Sequence, residues 1–66
     1  MLKVHETYLT PQEVADLLKV TRRTVYRWIE SGELPVIRFG SAYRISGSDL
    51  EDFIRRHRQP SGLEEE

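Results

Sequence analysis

Residues 8–35 read YLTPQEVADLLKVTRRTVYRWIESGELP, and the punctuation of this stretch decides the fold. Thr10-Pro11-Gln12-Glu13 has the form of a helix start. It offers a hydroxyl to accept from the unpaired amides of the first turn, a proline whose missing N–H is not needed there, and a glutamate that can reach back to the cap. Leu9 and Val14 bracket the cap as a hydrophobic staple, and Val14, Leu17 and Leu18, with Ala15, continue an apolar face. The pattern breaks after Lys19 and restarts at Thr21, a second cap followed by the stripe Val25, Trp28 and Ile29. Gly32 and then Pro35 end it. The spacing predicts helices over residues 11–19 and 22–31 joined by a turn of about three residues, which is a helix-turn-helix.

Working outward, residues 34–45 turn to β-formers, with Val36, Ile37 and Phe39 on one side of Gly40-Ser41-Ala42 and Tyr43 and Ile45 on the other. This predicts a short two-stranded hairpin. Ile37 and Phe39 share one face, as do Tyr43 and Ile45, and the expectation is that Arg38 and Arg44 project together from the opposite, solvated face. A third helix over residues 48–57, capped by Ser46 or Ser48, presents Leu50, Phe53 and Ile54 to the core. The expected core is Val14, Leu17, Leu18, Val25, Ile29, Ile37, Ile45, Leu50, Phe53 and Ile54. The fold class is mainly α with a small β-hairpin, a winged helix-turn-helix of three helices plus a two-stranded wing. It divides into an N-terminal arm (1–7), the domain (8–58) and a tail (59–66) whose Pro, Ser, Gly and Glu content predicts disorder.

The bulk properties narrow the function. Sixty-six residues hold one core and leave little depth for a water-excluding pocket. The absence of cysteine removes disulfides and thiolate metal sites and points to a reducing, cytoplasmic setting. No apolar run has the length of a signal segment or a membrane span, so a soluble, unprocessed protein is expected. Two isolated histidines, His5 and His57, do not make a metal site. With no nucleophile beside a base, no carboxylate pair and no phosphate-binding glycine loop, the sequence predicts neither an enzyme nor a cofactor or small-molecule ligand.

A net charge of −1 argues against a nucleic-acid partner until its distribution is read. Lys19, Arg22, Arg23, Arg27, Arg38 and Arg44 face only Glu30 and Glu33 over the middle of the chain, while Glu64, Glu65 and Glu66 crowd the far end. On the second helix Val25, Trp28 and Ile29 take one side and Arg23, Tyr26, Arg27 and Glu30 the other. Arginine can pair with guanine O6 and N7 or clamp a phosphate, Tyr26 can stack or donate, and Thr21, Arg22 and Thr24 lie at a helix N-terminus that favours anions. Solvation of an amphipathic face would explain an arbitrary arginine pair, but a pair at the start of the second helix of this motif, poor in acidic neighbours, favours DNA contact. Trp28, lying beside Val25 and Ile29, is assigned to packing, and Arg55, Arg56 and Arg58 to the dipole of the third helix.

The ordered set Tyr8-Leu9-Thr10-Pro11-Gln12-Glu13-Val14-Ala15, Thr21-Arg22-Arg23-Thr24-Val25-Tyr26-Arg27-Trp28, Gly32-Glu33-Leu34-Pro35, Arg38-Phe39-Gly40 and Tyr43-Arg44-Ile45 resembles the excisionase-type branch of the MerR-like winged helix-turn-helix superfamily. The resemblance implies a double-stranded DNA-binding protein whose second helix enters the major groove through Thr21, Arg22, Arg23, Thr24, Tyr26 and Arg27. Its wing would touch the minor groove or backbone through Arg38, Gly40, Ser41 and Arg44. It further implies a DNA-bending accessory factor in site-specific recombination, or a small transcriptional regulator on the same domain, acting with adjacent copies or a recombinase at the nucleoid. A protein-interaction adaptor that has lost DNA binding is the rival of another class. Gly47 departs from the pattern, which has proline at the start of the third helix.

Overall fold

A computed structural model describes residues 7–59. Its elements, in order, are β1 (Tyr8–Leu9), α1 (Pro11–Leu18), α2 (Arg22–Ser31), β2 (Ile37–Phe39), β3 (Ala42–Ser46) and α3 (Gly47–Arg56). This is a winged helix-turn-helix. The helix starts form as their cap residues dictate. The Thr10 hydroxyl accepts from Glu13 N at 3.0 Å while Thr10 N donates to the Glu13 carboxylate at 2.9 Å, closing a capping box. Thr21 accepts from Thr24 N at 3.1 Å, and Ser46, rather than Ser48, caps α3 by accepting from Asp49 N at 3.1 Å. Between α1 and α2 the chain reverses at Lys19, whose left-handed φ of 58° lets Val20 N donate back to Ala15 O at 3.0 Å.

The sheet has three strands in the order β1-β3-β2, so β3 is central and β1 adds a strand beyond the expected hairpin. Tyr8 pairs with Ser46 and Leu9 with Ile45. The ladder ends in a bond from Gly47 N to Thr7 O at 2.8 Å, which gives a physical reason for a residue other than proline at the first position of α3. Ser46, at φ −73° and ψ 149°, already has the conformation a residue before proline prefers, so proline would fit the backbone but lose the N–H that holds β1. Gly47→Pro should destabilise the domain by about 0.5–1.5 kcal/mol. Gly47→Ala, whose Cβ would meet Thr7 O at an ordinary 3.5 Å, should stabilise it by about 0.4–1 kcal/mol, both read from urea midpoints.

Packed between the helices and β3, the core holds Val14, Ala15, Val25, Leu34, Ile45, Leu50 and Phe53, with Leu9, Leu18, Val20, Trp28, Ile29 and Val36 against it. Three expected members lie elsewhere: Leu17 is 59% exposed, Ile54 39% and Ile37 36%. Val14 and Ala15 centre the buried arc of α1, and at 100° per residue Leu17 stands about 110° from that centre. Ile54 stands about 70° from the centre of the Leu50 and Phe53 row, at the flank of the buried face. Ile37 is outside because of strand register.

Gly40, at φ 65°, and Ser41 alone form the turn, with Phe39 opposite Ala42, Arg38 opposite Tyr43 and Ile37 opposite Arg44. Positive φ at the first central residue is what a tight type II′ hairpin asks of glycine. The expected three-residue turn, Gly40-Ser41-Ala42, would have set Arg38 opposite Arg44. Shortening it by one residue moves one strand's side chains to the other face relative to its partner. Arg38 therefore lies with Tyr43 and the buried Ile45, and Arg44 lies with Ile37 and Phe39. The two arginines are on opposite faces of the wing, not on one.

Among the described residues no helix is long and apolar enough to cross a membrane. Most of the arm and of the acidic tail, residues 1–6 and 60–66, falls outside the described residues.

Candidate nucleic-acid interface

Helix α2 buries Val25 completely and half-buries Trp28 and Ile29, leaving Arg22, Arg23, Arg27 and Glu30 exposed. Trp28 is a packing residue: its ring lies 4.7 Å from that of Phe53, tilted by 48°. Arg23 and Arg27, four residues apart, share the face opposite Val25. Among the described residues Arg22, Arg23 and Arg27 form no ion pair and no intramolecular hydrogen bond, and the first turn of α2 has no acidic residue. Three guanidinium groups are thus displayed to solvent with their donors unengaged by the fold.

The cations of α3 are held differently. Arg55 pairs with Asp52 at 3.2 Å, and Arg56 lies 4.0 Å from Asp52 and donates to the Glu33 carbonyl at 3.4 Å. His57 Nε2 sits 3.6 Å from the Glu33 carboxylate. These contacts fasten the end of α3 to the segment after α2, and local carboxylates, beyond the helix dipole, account for Arg55 and Arg56.

Thr21 and Thr24 are partly committed as well. The two hydroxyls lie 3.0 Å apart while Thr21 caps the helix, so their first role is to fix its start. Tyr26 is not on the outermost face. It is half-buried, and its ring centroid lies 6.0 Å from that of Tyr43 on β3. Tyr43 in turn carries the Arg38 guanidinium 5.9 Å from its ring centroid, and Arg38 Nε donates to Gly40 O at 3.1 Å. Tyr26, Tyr43 and Arg38 form a continuous brace from α2 to the wing tip. Sequence reading missed Tyr43 as the middle of this brace. The signal was available in Gly40-Ser41, which as a two-residue turn sets Tyr43 opposite Arg38.

On the other face Arg44 donates to Tyr43 O at 2.7 Å and has no ion pair among the described residues. Glu33, one carboxylate that could have engaged it, is taken by Ser31 at 3.2 Å and His57. From Leu34 to Ser48 the chain contains no acidic residue, so the wing is purely cationic. The arrangement places a cationic helix and a cationic ribbon side by side, and among the described residues no group of carboxylates and imidazoles could hold a metal ion.

Residues 8–58 match the family described as "Helix-turn-helix domain", which covers every element above. The chain is 41% identical over 46 residues to the Mycobacterium tuberculosis (strain H37Rv) "Putative DNA-binding protein Rv0500A", spanning 70% of this chain and 59% of that protein. It is 46% identical over 59 residues to the uncharacterized protein Mb2337 of Mycobacterium bovis, spanning 86% of this chain and 52% of that one. The uncharacterized protein YvgK of Bacillus subtilis is 46% identical over 44 residues, 67% of this chain and 14% of its own. The chain thus spans little more than half the length of the mycobacterial relatives. Its residues 8–58, from the first strand to the end of the third helix, make it a member of the helix-turn-helix domain family.

Proposed function

We propose that this protein binds double-stranded DNA, with α2 in the major groove and the wing on the adjacent minor groove or backbone. The observation that carries this reading is the face of α2, where Arg22, Arg23 and Arg27 stand exposed without an intramolecular partner. Desolvating three cations needs an anionic surface, and a helix after a tight turn delivers them into a groove. Membership of the helix-turn-helix family and the 41% identity to a protein named as DNA-binding support the same partner.

On the wing, Arg38 and Arg44 leave opposite faces of the ribbon and so address opposite walls of a minor groove, with the amides of Gly40 and Ser41 at the tip. A single module of this size buries roughly 600–1,000 Å² on DNA, so useful occupancy calls for adjacent copies or a second protein such as a recombinase. The finer role, carried by the motif order, is an excisionase-like, DNA-bending accessory factor. Mapping genomic occupancy tests it: sites at the ends of integrated elements support it, and sites confined to promoters replace it with transcriptional regulation. Binding itself is tested by selection from random duplexes and titration against salt, where log K should fall linearly with log salt. Arg44→Ala should weaken all sequences alike. No retention of any duplex at low salt overturns DNA binding in favour of a protein-interaction role.

A further inference from the structure

We infer that Phe39 is an apolar wedge that the wing inserts into the minor groove, locally unstacking and kinking the duplex; this rests on the DNA-binding reading above. Phe39 is 59% exposed, as much as any large apolar side chain among the described residues, and it is the last residue of β2 before the turn. Beyond it stand only Gly40 and Ser41, and directly across the ribbon is Ala42, so nothing of comparable size shields the ring. An exposed phenyl ring at a hairpin tip has no role in the core, whose nearest face carries Tyr43 and Ile45 instead.

Its surroundings select the partner. The ring shares its face with Arg44, and Arg38 projects from the other face one residue away, both without an ion pair among the described residues. The whole segment from Leu34 to Ser48 lacks acidic groups. A second copy docking here would bring arginines against arginines. Ile37 and Phe39, even with the Tyr8 ring that the ladder sets on the same side, fall well short of the roughly 800 Å² per partner of a stable protein interface. A polyanion with a narrow groove walled by deoxyribose satisfies both the charge and the small area: arginines meet the phosphates, and the ring meets the sugars and the faces of an unstacked base step. The brace of Tyr26, Tyr43 and Arg38 holds the ribbon beside α2, so the tip is carried to the duplex flank when α2 is seated.

The experiment compares wild type, Phe39→Ala, Phe39→Leu and Arg44→Ala on a selected duplex carrying 2-aminopurine at successive steps of the flanking minor groove, with end-labelled fluorescence transfer reporting the bend. Wild type should brighten 2-aminopurine at one step and shorten the end-to-end distance. Phe39→Ala should abolish both and weaken binding roughly tenfold, with Phe39→Leu retaining part of the signal. Because an apolar contact releases no counterion, Phe39→Ala should leave the slope of log K against log salt unchanged, whereas Arg44→Ala lowers it by about one unit. Because the side chain is exposed the variant should fold as the wild type does, and matching circular dichroism melts check it. Unchanged bend and 2-aminopurine signals in Phe39→Ala, with duplex binding intact, overturn the wedge and leave the DNA-binding reading standing. A change in sedimentation instead of bending overturns it in favour of a second copy. Failure of the wild type to bind any duplex removes both readings.

Discussion

Leu34→Ala is expected to lower the stability of the domain by about 2–5 kcal/mol, while Leu17→Ala shifts it by less than about 0.5 kcal/mol. The two residues have the same side chain and opposite environments: Leu34 is 1% exposed and Leu17 59%. Leu34 follows the helix stop at Gly32, whose φ of 85° reverses the chain so that Glu33 N and Leu34 N both donate to Trp28 O, at 3.0 and 3.2 Å. That turn drops the Leu34 side chain into the core cluster shared with Val14, Val25, Ile45, Leu50 and Phe53. Truncation leaves a cavity bounded by helices and sheet together, which cannot collapse without moving one of them. Since a chain of this length has a total stability of only about 3–10 kcal/mol, the variant should be largely unfolded at moderate urea concentrations where the wild type is folded. Equal urea midpoints for the two variants would falsify this account of the core.

The largest functional effect is expected on α2. Arg23→Ala and Arg27→Ala should each weaken duplex binding by about 1–3 kcal/mol if the guanidinium pairs bidentately with a base, relaxing preference at one position of the site. A phosphate-clamping arginine should instead lower affinity for all sequences and reduce the salt slope by about one unit. The double variant should approach non-binding while folding normally, because both side chains are exposed and engage nothing among the described residues. The measurement is binding against salt on single and tandem sites. Indistinguishable affinities for wild type and the double variant at low salt would remove α2 as the recognition element.

Where residues interact within a turn or two of sequence, the chain read true. The caps at Thr10 and Thr21, the capping box with Glu13, the stops at Lys19 and Gly32 and the three helices all follow from groups three or four positions apart. The exposed display of Arg23 and Arg27 opposite Val25 follows from helical period alone. Leu34 was illegible because a turn residue has no periodicity: its burial is set by where Gly32 aims the chain, not by its neighbours' pattern.

The sequence by itself determined which segments become helices, where α1 and α2 begin, and that a cationic face is paired with an apolar one, since these rest on local hydrogen bonds and a 3.6-residue period. The start of α3, expected at residue 48 with Ser46 or Ser48 as cap, fell to Gly47 once β1 paired with β3. The tertiary structure decided the wing. Whether Ala42 belongs to the turn or to the strand is a difference of one residue with little local preference, and it is settled when β3 is clamped between β1 and β2 with Ile45 in the core. That register sends Arg38 to the Tyr43 ring and Arg44 to the side of Phe39. It also draws Tyr26 from the exposed face of α2 to brace the ribbon, because only the packing of α2 and β3 around one core brings the Tyr26 and Tyr43 rings within 6.0 Å. Strand pairing joins residues distant in sequence with a period of two, so a single-residue slip reverses every facing, and only burial of one face chooses between the alternatives.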